Sequence, residues 1–225
     1  MDEARRLIQQ GFHEEFAITA QQQTQGRGRH NRDWISPSGN LHMSVVTRDV
    51  PPQQLSQYAL MWGAVMQQVL ADLTKADVRC KWPNDVLVEG KKISGVLIER
   101  CLNPNALIVG VGVNILHLPE NVLFPATCLA DHGGEVINAE QLAARITDQY
   151  VKMRAHWEQN GFENIRKSWL NVAWKLNSEI NIRQETRNVV GIFETIDENG
   201  ALILNTHSGQ EKLLVGDLVE GNGCY

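Results

Sequence analysis

Apolar positions along the chain switch between two periods, and the switches predict its elements. Residues 2–11 alternate charged and apolar positions at helical spacing, and 17–20 (AITA) then read as a short strand. A second strand is predicted over 40–47 (NLHMSVVT). A helix is predicted over 53–73, with Met61, Trp62, Val65 and Val69 on its buried face. Period-two runs follow at 78–82, 86–88, 93–99 and 106–112, with Glu89-Gly90 as the turn between the second and third. The pattern loosens after residue 115 into LHLPENVLFPATCLADHGG, where prolines and paired glycines predict a loop. Helices are expected over 138–159 and 163–174.

From 177 onward the pattern changes to short strands at 179–183, 188–196, 201–205 and 212–215, separated by the turn clusters DENG and HSG. The expected architecture is therefore α+β: a mixed or antiparallel sheet with helices over residues 1–176, then a small β-barrel-like domain over 177–225. No internal repeat or low-complexity tract is present.

Composition narrows the function classes. Hydrophobic residues make up 43% and charged residues 21%, as in ordinary soluble domains. A net charge of −5 argues against a general nucleic-acid coat, so any anion binding must be local. No stretch approaches the ~18 apolar residues of a membrane span, and the first ten residues do not have the order of a signal peptide. The four cysteines, Cys80, Cys101, Cys128 and Cys224, form no CxxC pair and the seven histidines show no metal-ligand spacing. A cytoplasmic protein with reduced thiols is expected.

Two segments carry the chemistry. In QTQGRGRHNRDW (23–34), Arg27, Arg29 and Arg32 are interleaved with Gly26 and Gly28, so backbone can turn tightly while guanidinium forks meet an anion. A solvated surface turn explains the same loop about as well, and an RNA-binding RG segment is a further alternative. Its place between two predicted strands, followed by Trp34, favours an ordered ligand. In KWPNDVLVEGKKISGVLIE (81–99), Lys81 lies between an apolar run and Trp82-Pro83, where a charge on a buried face needs an anionic partner such as a phosphate. Lys91 reads as solvent-facing. GVGVN at 110–114 lacks the third glycine and the helix of a dinucleotide fingerprint, and its alternating glycines suit close approach by a backbone or a flat ligand. No P-loop motif occurs.

GRGRHNRDWISPSGNL, KWPNDVLVEGKKISGVLIE and GVGVNI, in this order and ahead of a short β domain, resemble the biotin protein ligase family. The resemblance implies a catalytic domain of the class II aminoacyl-tRNA synthetase and biotin ligase type, followed by an SH3-like domain. It implies ATP-dependent formation of biotinyl-5′-AMP and transfer of biotin to a lysine of the biotin carboxyl carrier protein of acetyl-CoA carboxylase, with Mg²⁺ accompanying ATP. By motif position, Gln23, Arg27, Lys92 and Gly95 would meet biotin. Arg27, Arg29, Arg32, Trp34, Asn84 and Asn114 would meet ATP or the adenylate, and Lys81, Asp85 and Arg29 would carry catalysis. Asn84 and Asp85 would also organise the site, with magnesium as one route, and the metal ligands are left open.

Family members carry a strand ending in Ser-Thr-Asn or Ser-Thr-Met before the first helix. Here Met1-Asp2-Glu3-Ala4-Arg5 falls where that motif ends, so that strand and one pocket wall are expected to be missing. No DNA-binding domain and no repressor function are expected, and an exposed sheet edge could serve a homodimer or carrier docking. Lipoate or octanoate ligases share the fold, and a non-catalytic adenylate-binding module remains a further alternative.

Overall fold

The computed structural model describes residues 1–102, 105–118 and 124–219. Cys224, part of the loop after residue 115 and the last residues of the C-terminal unit lie outside them. The chain opens with helix α1 (Asp2–Gln9), followed by β1 (Phe16–Ala20), β2 (Leu41–Thr47), helix α2 (Leu55–Thr74), β3 (Val78–Lys81), β4 (Asp85–Val88), β5 (Lys91–Cys101) and β6 (Ala106–Val113). These six strands form one sheet in the order β1-β2-β6-β5-β4-β3, and every neighbouring pair is antiparallel. Of the two arrangements open in the sequence, the purely antiparallel one is realised.

Both faces of the central strands are covered, which explains why all seven residues of β2 are buried. On one face Leu41, Met43 and Val45 join Leu107, Val109, Val111 and Val113 under α2. That helix buries Met61, Trp62, Val65 and Val69 as expected. It also buries residues such as Tyr58 and Leu70, because helices α3 (Ala139–Asn160) and α4 (Glu163–Asn171) pack on its outer side. On the opposite face Ala4 and Ile8 of α1 cover Val46, Ala106 and Ile108. Beyond the end of that cover, β6 continues with Gly110 and Gly112.

α3 begins at a capping box, with the Asn138 side chain accepting from Gln141 N and the Gln141 side chain accepting from Asn138 N. α4 ends three residues before the expected 174, and the chain instead bridges Cys80 of β3, with Cys80 N donating to Val172 O and Trp174 N donating to Cys80 O, both at 2.8 Å.

The C-terminal unit comprises β7 (Glu179–Arg183), β8 (Asn188–Ile196), β9 (Leu202–Thr206), β10 (Gly209–Leu213) and β11 (Asp217–Val219), ordered β10-β9-β8-β7-β11. β10 lies earlier than the predicted 212–215, and β11 was not foreseen: three residues give too short an alternation to read. The described pairings do not include closure of β10 on β11 into a barrel. No helix among the described residues is long and apolar enough to cross a membrane.

Candidate active site

The glycine-arginine segment is a small closed hairpin rather than a solvated turn. Arg27 bridges Asp33, Gly28 N donates to Arg32 O at 2.7 Å and Trp34 N donates to Gly26 O at 3.0 Å. Gly26 is required there, since a Cβ would sit 2.1 Å from the Trp34 carbonyl. The hairpin covers a cavity of about 150 Å³ on the sheet face beyond α1. The cavity is lined by Gln23, Arg27, Arg29, Arg32, Trp34, Asn84, Asp85, Lys92 and Gly95, nine of the eleven residues expected at the site.

A bulge in β5 brings two of these together. Leu87 pairs with Lys92 but Val86 pairs with Ser94, so Ile93 is an extra residue. In a regular strand Lys92 and Gly95 would face opposite ways. The extra residue puts both on the cavity face, and a Cβ at Gly95 would lie 3.4 Å from Lys92 Cε and from Asp85 Oδ1. Lys92 Nζ is 2.6 Å from Asp85 Oδ1, and both side chains are largely covered. The floor is bare backbone: Gly95 and Gly112 are register partners. The Trp34 indole lies so close to Gly112 that a Cβ there would approach Trp34 Cε2 to 2.4 Å. Trp34 Nε1 is buried with no hydrogen-bond acceptor among the described residues, a donor available to a ligand.

Each arginine is held by carboxylates. Arg27 reaches Glu99 Oε1 at 3.1 Å and Asp2 Oδ2 at 3.0 Å, and these bonds, Asp2 first, raise its pKa well above the ordinary value. Arg29 Nη1 donates to Asn84 Oδ1 at 3.3 Å, Gly216 O at 3.1 Å and Asp217 Oδ1 at 3.2 Å. Burial lowers the Arg29 pKa against the pull of Asp217 and Asp85, without bringing a guanidinium near neutrality. Arg32 also binds Asp217. Arg27 and Lys92 are matched by carboxylates of their own, whereas Arg29 and Arg32 share Asp217, which leaves a positive excess on that side of the cavity suited to phosphate.

Two expected residues fall elsewhere. Lys81 is buried, but its Nζ lies 3.6 Å from the Phe124 ring centroid and 5.8 Å from that of Trp174, and it does not line the cavity. The cavity ammonium is Lys92. Asn114 is also buried, with Nδ2 donating to Thr127 O at 3.1 Å and its backbone joining Ile93 and Leu129, so it anchors the segment after β6 instead of lining the cavity. Sequence reading missed Ser44, which lines the floor opposite Gly110, and Asp217. The Gly-Asp pair before Leu218 was the available signal for Asp217, in a strand too short to predict.

Among the described residues no three His, Cys, Asp or Glu side chains form a metal cluster. Asp85 beside Asn84, with Asp85 Oδ1 already paired to Lys92, is a donor set that fits a magnesium ion carried by phosphates rather than a resident ion.

Known proteins resemble this chain over both of its units. Residues 3–115 match the Biotin/lipoate A/B protein ligase family and residues 175–219 match the Biotin protein ligase C terminal domain. The chain is 31% identical to a biotin–[acetyl-CoA-carboxylase] ligase of Paracoccus denitrificans, over 91% of this chain and 90% of that one. It is also 31% identical to the same-named ligase of Mycobacterium tuberculosis, over 90% of this chain and 77% of that one. The biotin protein ligase of Aquifex aeolicus, solved in complex with biotin and ATP, superposes with a TM-score of 0.83 at 27% identity, covering 95% of this chain and 92% of that one. With the ligase fold, the covered glycine-floored cavity and both matching segments in one chain, this protein belongs to the biotin/lipoate A/B protein ligase family, on its biotin protein ligase branch.

Proposed function

We propose that the chain is an ATP-dependent biotin protein ligase. The observation that carries this reading is the convergence of Lys92, Arg29 and Arg32 on a cavity floored by Gly95 and Gly112 and walled by Trp34 and Gln23. The glycine floor lets a flat ring lie close beside the Trp34 indole, and Gln23 supplies the donor and acceptor that a urea requires. In the first half-reaction a biotin carboxylate oxygen bonds to the α-phosphorus of ATP as the bond to pyrophosphate breaks. Two anions must meet, so Lys92 and the arginines neutralise charge that builds in the transition state. Lys92, rather than the Lys81 to which the resemblance gives a catalytic role, bridges carboxylate and phosphate, because its ammonium lies in the cavity. Mg²⁺ would enter with the nucleotide as part of the substrate, held chiefly by its phosphates, and Asn84 and Asp85 would organise the site around it.

The product, biotinyl-5′-AMP, is a mixed anhydride that water destroys, and the arginine hairpin with Trp34 shields it. In the second half-reaction the lysine amine of a biotin carboxyl carrier protein attacks the acyl carbon and AMP leaves. Deprotonating that amine from a pKa of ~10.4 costs on the order of 4–5 kcal/mol at pH 7, and Asp85 is placed to position it or to take its proton. The free, buried Cys80, Cys101 and Cys128 suit a reducing cytoplasm, and β1, at the edge of the sheet, offers an open strand to a carrier or a second copy.

The test is pyrophosphate release from Mg-ATP by the purified chain, with biotin and lipoate as parallel substrates. Release is expected with biotin alone. Release with lipoate, or none with either acid, overturns the reading.

A further inference from the structure

Asp217 opens β11, where it pairs with Arg183, but its side chain leaves the C-terminal sheet for the arginine hairpin. One carboxylate oxygen lies 3.2 Å from Arg29 Nη1 and 3.8 Å from His30 Nε2. The other contacts Arg32 and lies 3.9 Å from Arg183 Nη2. Gly216 presents its carbonyl to the same Arg29 nitrogen at 3.1 Å. Its φ is +152°, and a Cβ would meet Ile182 Cγ2 at 2.4 Å, so glycine fixes carbonyl and carboxylate side by side on packed backbone. The Asp217 side chain is only 15% exposed.

One carboxylate therefore stands among three guanidiniums. Without it Arg29 and Arg32 repel each other and gain entropy by swinging into water. With it they are held at the cavity while an unneutralised positive charge is left for a phosphate. Among the described residues the hairpin itself contributes no carboxylate to Arg29 or Arg32, so apart from the Asn84 amide oxygen on Arg29 their hold comes from the C-terminal unit.

We propose that Asp217 is a positioning residue that keeps Arg29 and Arg32 closed over the cavity, so that the activated acyl phosphate is retained until the acceptor amine arrives. The proposal rests on the ligase reading for its kinetic consequence, and its structural consequence is independent of that reading.

Asp217→Asn preserves shape and removes the charge. Adenylate formed in the absence of carrier should escape from this variant roughly tenfold faster than from the parent, the size expected for losing charge-assisted hydrogen bonds. In an Arg29→Gln/Arg32→Gln background the same substitution should add nothing, because its route through the arginines is gone. A full tenfold effect in that background, or parent-like retention in the single variant, overturns the proposal. The second measurement is amide exchange across residues 26–34 in the ligand-free protein. Asp217→Asn should accelerate it severalfold, and Arg32→Gln, which cuts one of the two contacts at a more exposed position, by a smaller factor. Exchange that stays at the parent rate in both variants overturns the proposal. If the parent forms no adenylate, the ligase reading fails, and exchange across the hairpin alone decides the role of Asp217.

Discussion

At the scale of single residues, the Lys92–Asp85 contact sets what each group can do. With Nζ 2.6 Å from Oδ1 the pair is charge-assisted, and an incoming carboxylate or phosphate competes with Asp85 for the ammonium. Lys92→Gln removes the charge that lets two anions meet, so adenylate formation should fall at least about a hundredfold, as for the loss of a preorganised charge stabiliser. Asp85→Asn leaves Lys92 in place and removes the base, so single-turnover measurements should show transfer to the carrier impaired more than adenylate formation. Equal loss of both steps would sink the assignment to Asp85. The same pair shows where sequence reading stopped. Lys81 and Lys92 both sit at strand ends in lysine-containing motifs, and the bulge at Ile93, which has no signature in KKISG, is what turns Lys92 to the same cavity face as Gly95.

At the scale of elements, strand alternation and helix periodicity were legible wherever a segment has one partner face. β7, β8 and α3 fall where the pattern predicts them, whereas α2 buries more than one stripe because other helices cover its outer side. The alternating glycines of β6 were legible as a place of close approach, and the approaching groups are Met1 at Gly110 and Trp34 at Gly112. Gly112→Ala inserts a methyl 2.4 Å from the indole, which must move off the floor, while the rest of β6 keeps its pairing. Biotin affinity should fall tenfold or more, the effect of about 1.4 kcal/mol, with the thermal midpoint little changed. Unchanged affinity in a calorimetric titration would remove Trp34 and Gly112 from the ligand seat.

The β8–β9 turn carries a separate, pH-dependent element. Asp197 accepts from Asn199 N at 2.9 Å and Ala201 N at 2.8 Å and pairs with Lys212. Burial opposes its charge, but Lys212 and the two backbone donors outweigh burial and hold its pKa below the ordinary value. The folded state therefore binds this proton less tightly than the unfolded chain. Its contribution is complete above the unfolded pKa of about 3.9 and is lost as pH falls through the lower folded value. Asp197→Asn should cost about 1–3 kcal/mol at pH 7 and should narrow the stability gap to the parent below about pH 3.5. A gap that stays constant in acid denaturation would assign the effect to packing.

At the scale of the whole molecule, the turn at 176/177 divides sequence patterns more sharply than it divides the core. Ile180, Ile182, Phe193 and Leu204 of the C-terminal sheet belong to the same buried cluster as α2 and the six-stranded sheet. Trp169 of α4 meets Phe193 at a ring-centroid distance of 6.4 Å. Gly200 lies so close to the start of α2 that a Cβ would come within 2.8 Å of Gln57 N, and the Gln57 side chain bonds to Glu198 O at 2.8 Å. Removing the C-terminal sheet would therefore uncover large apolar side chains and free the arginines from Asp217 at once. The full chain should melt in a single calorimetric transition, with equal calorimetric and van't Hoff enthalpies. A chain cut after residue 176 should aggregate or melt well below the parent. Two resolved transitions, or a 1–176 fragment as stable as the whole, would show instead that the C-terminal unit is a separable appendage, and the hold of Asp217 on the hairpin would then lack the rigid support that makes it a positioning contact.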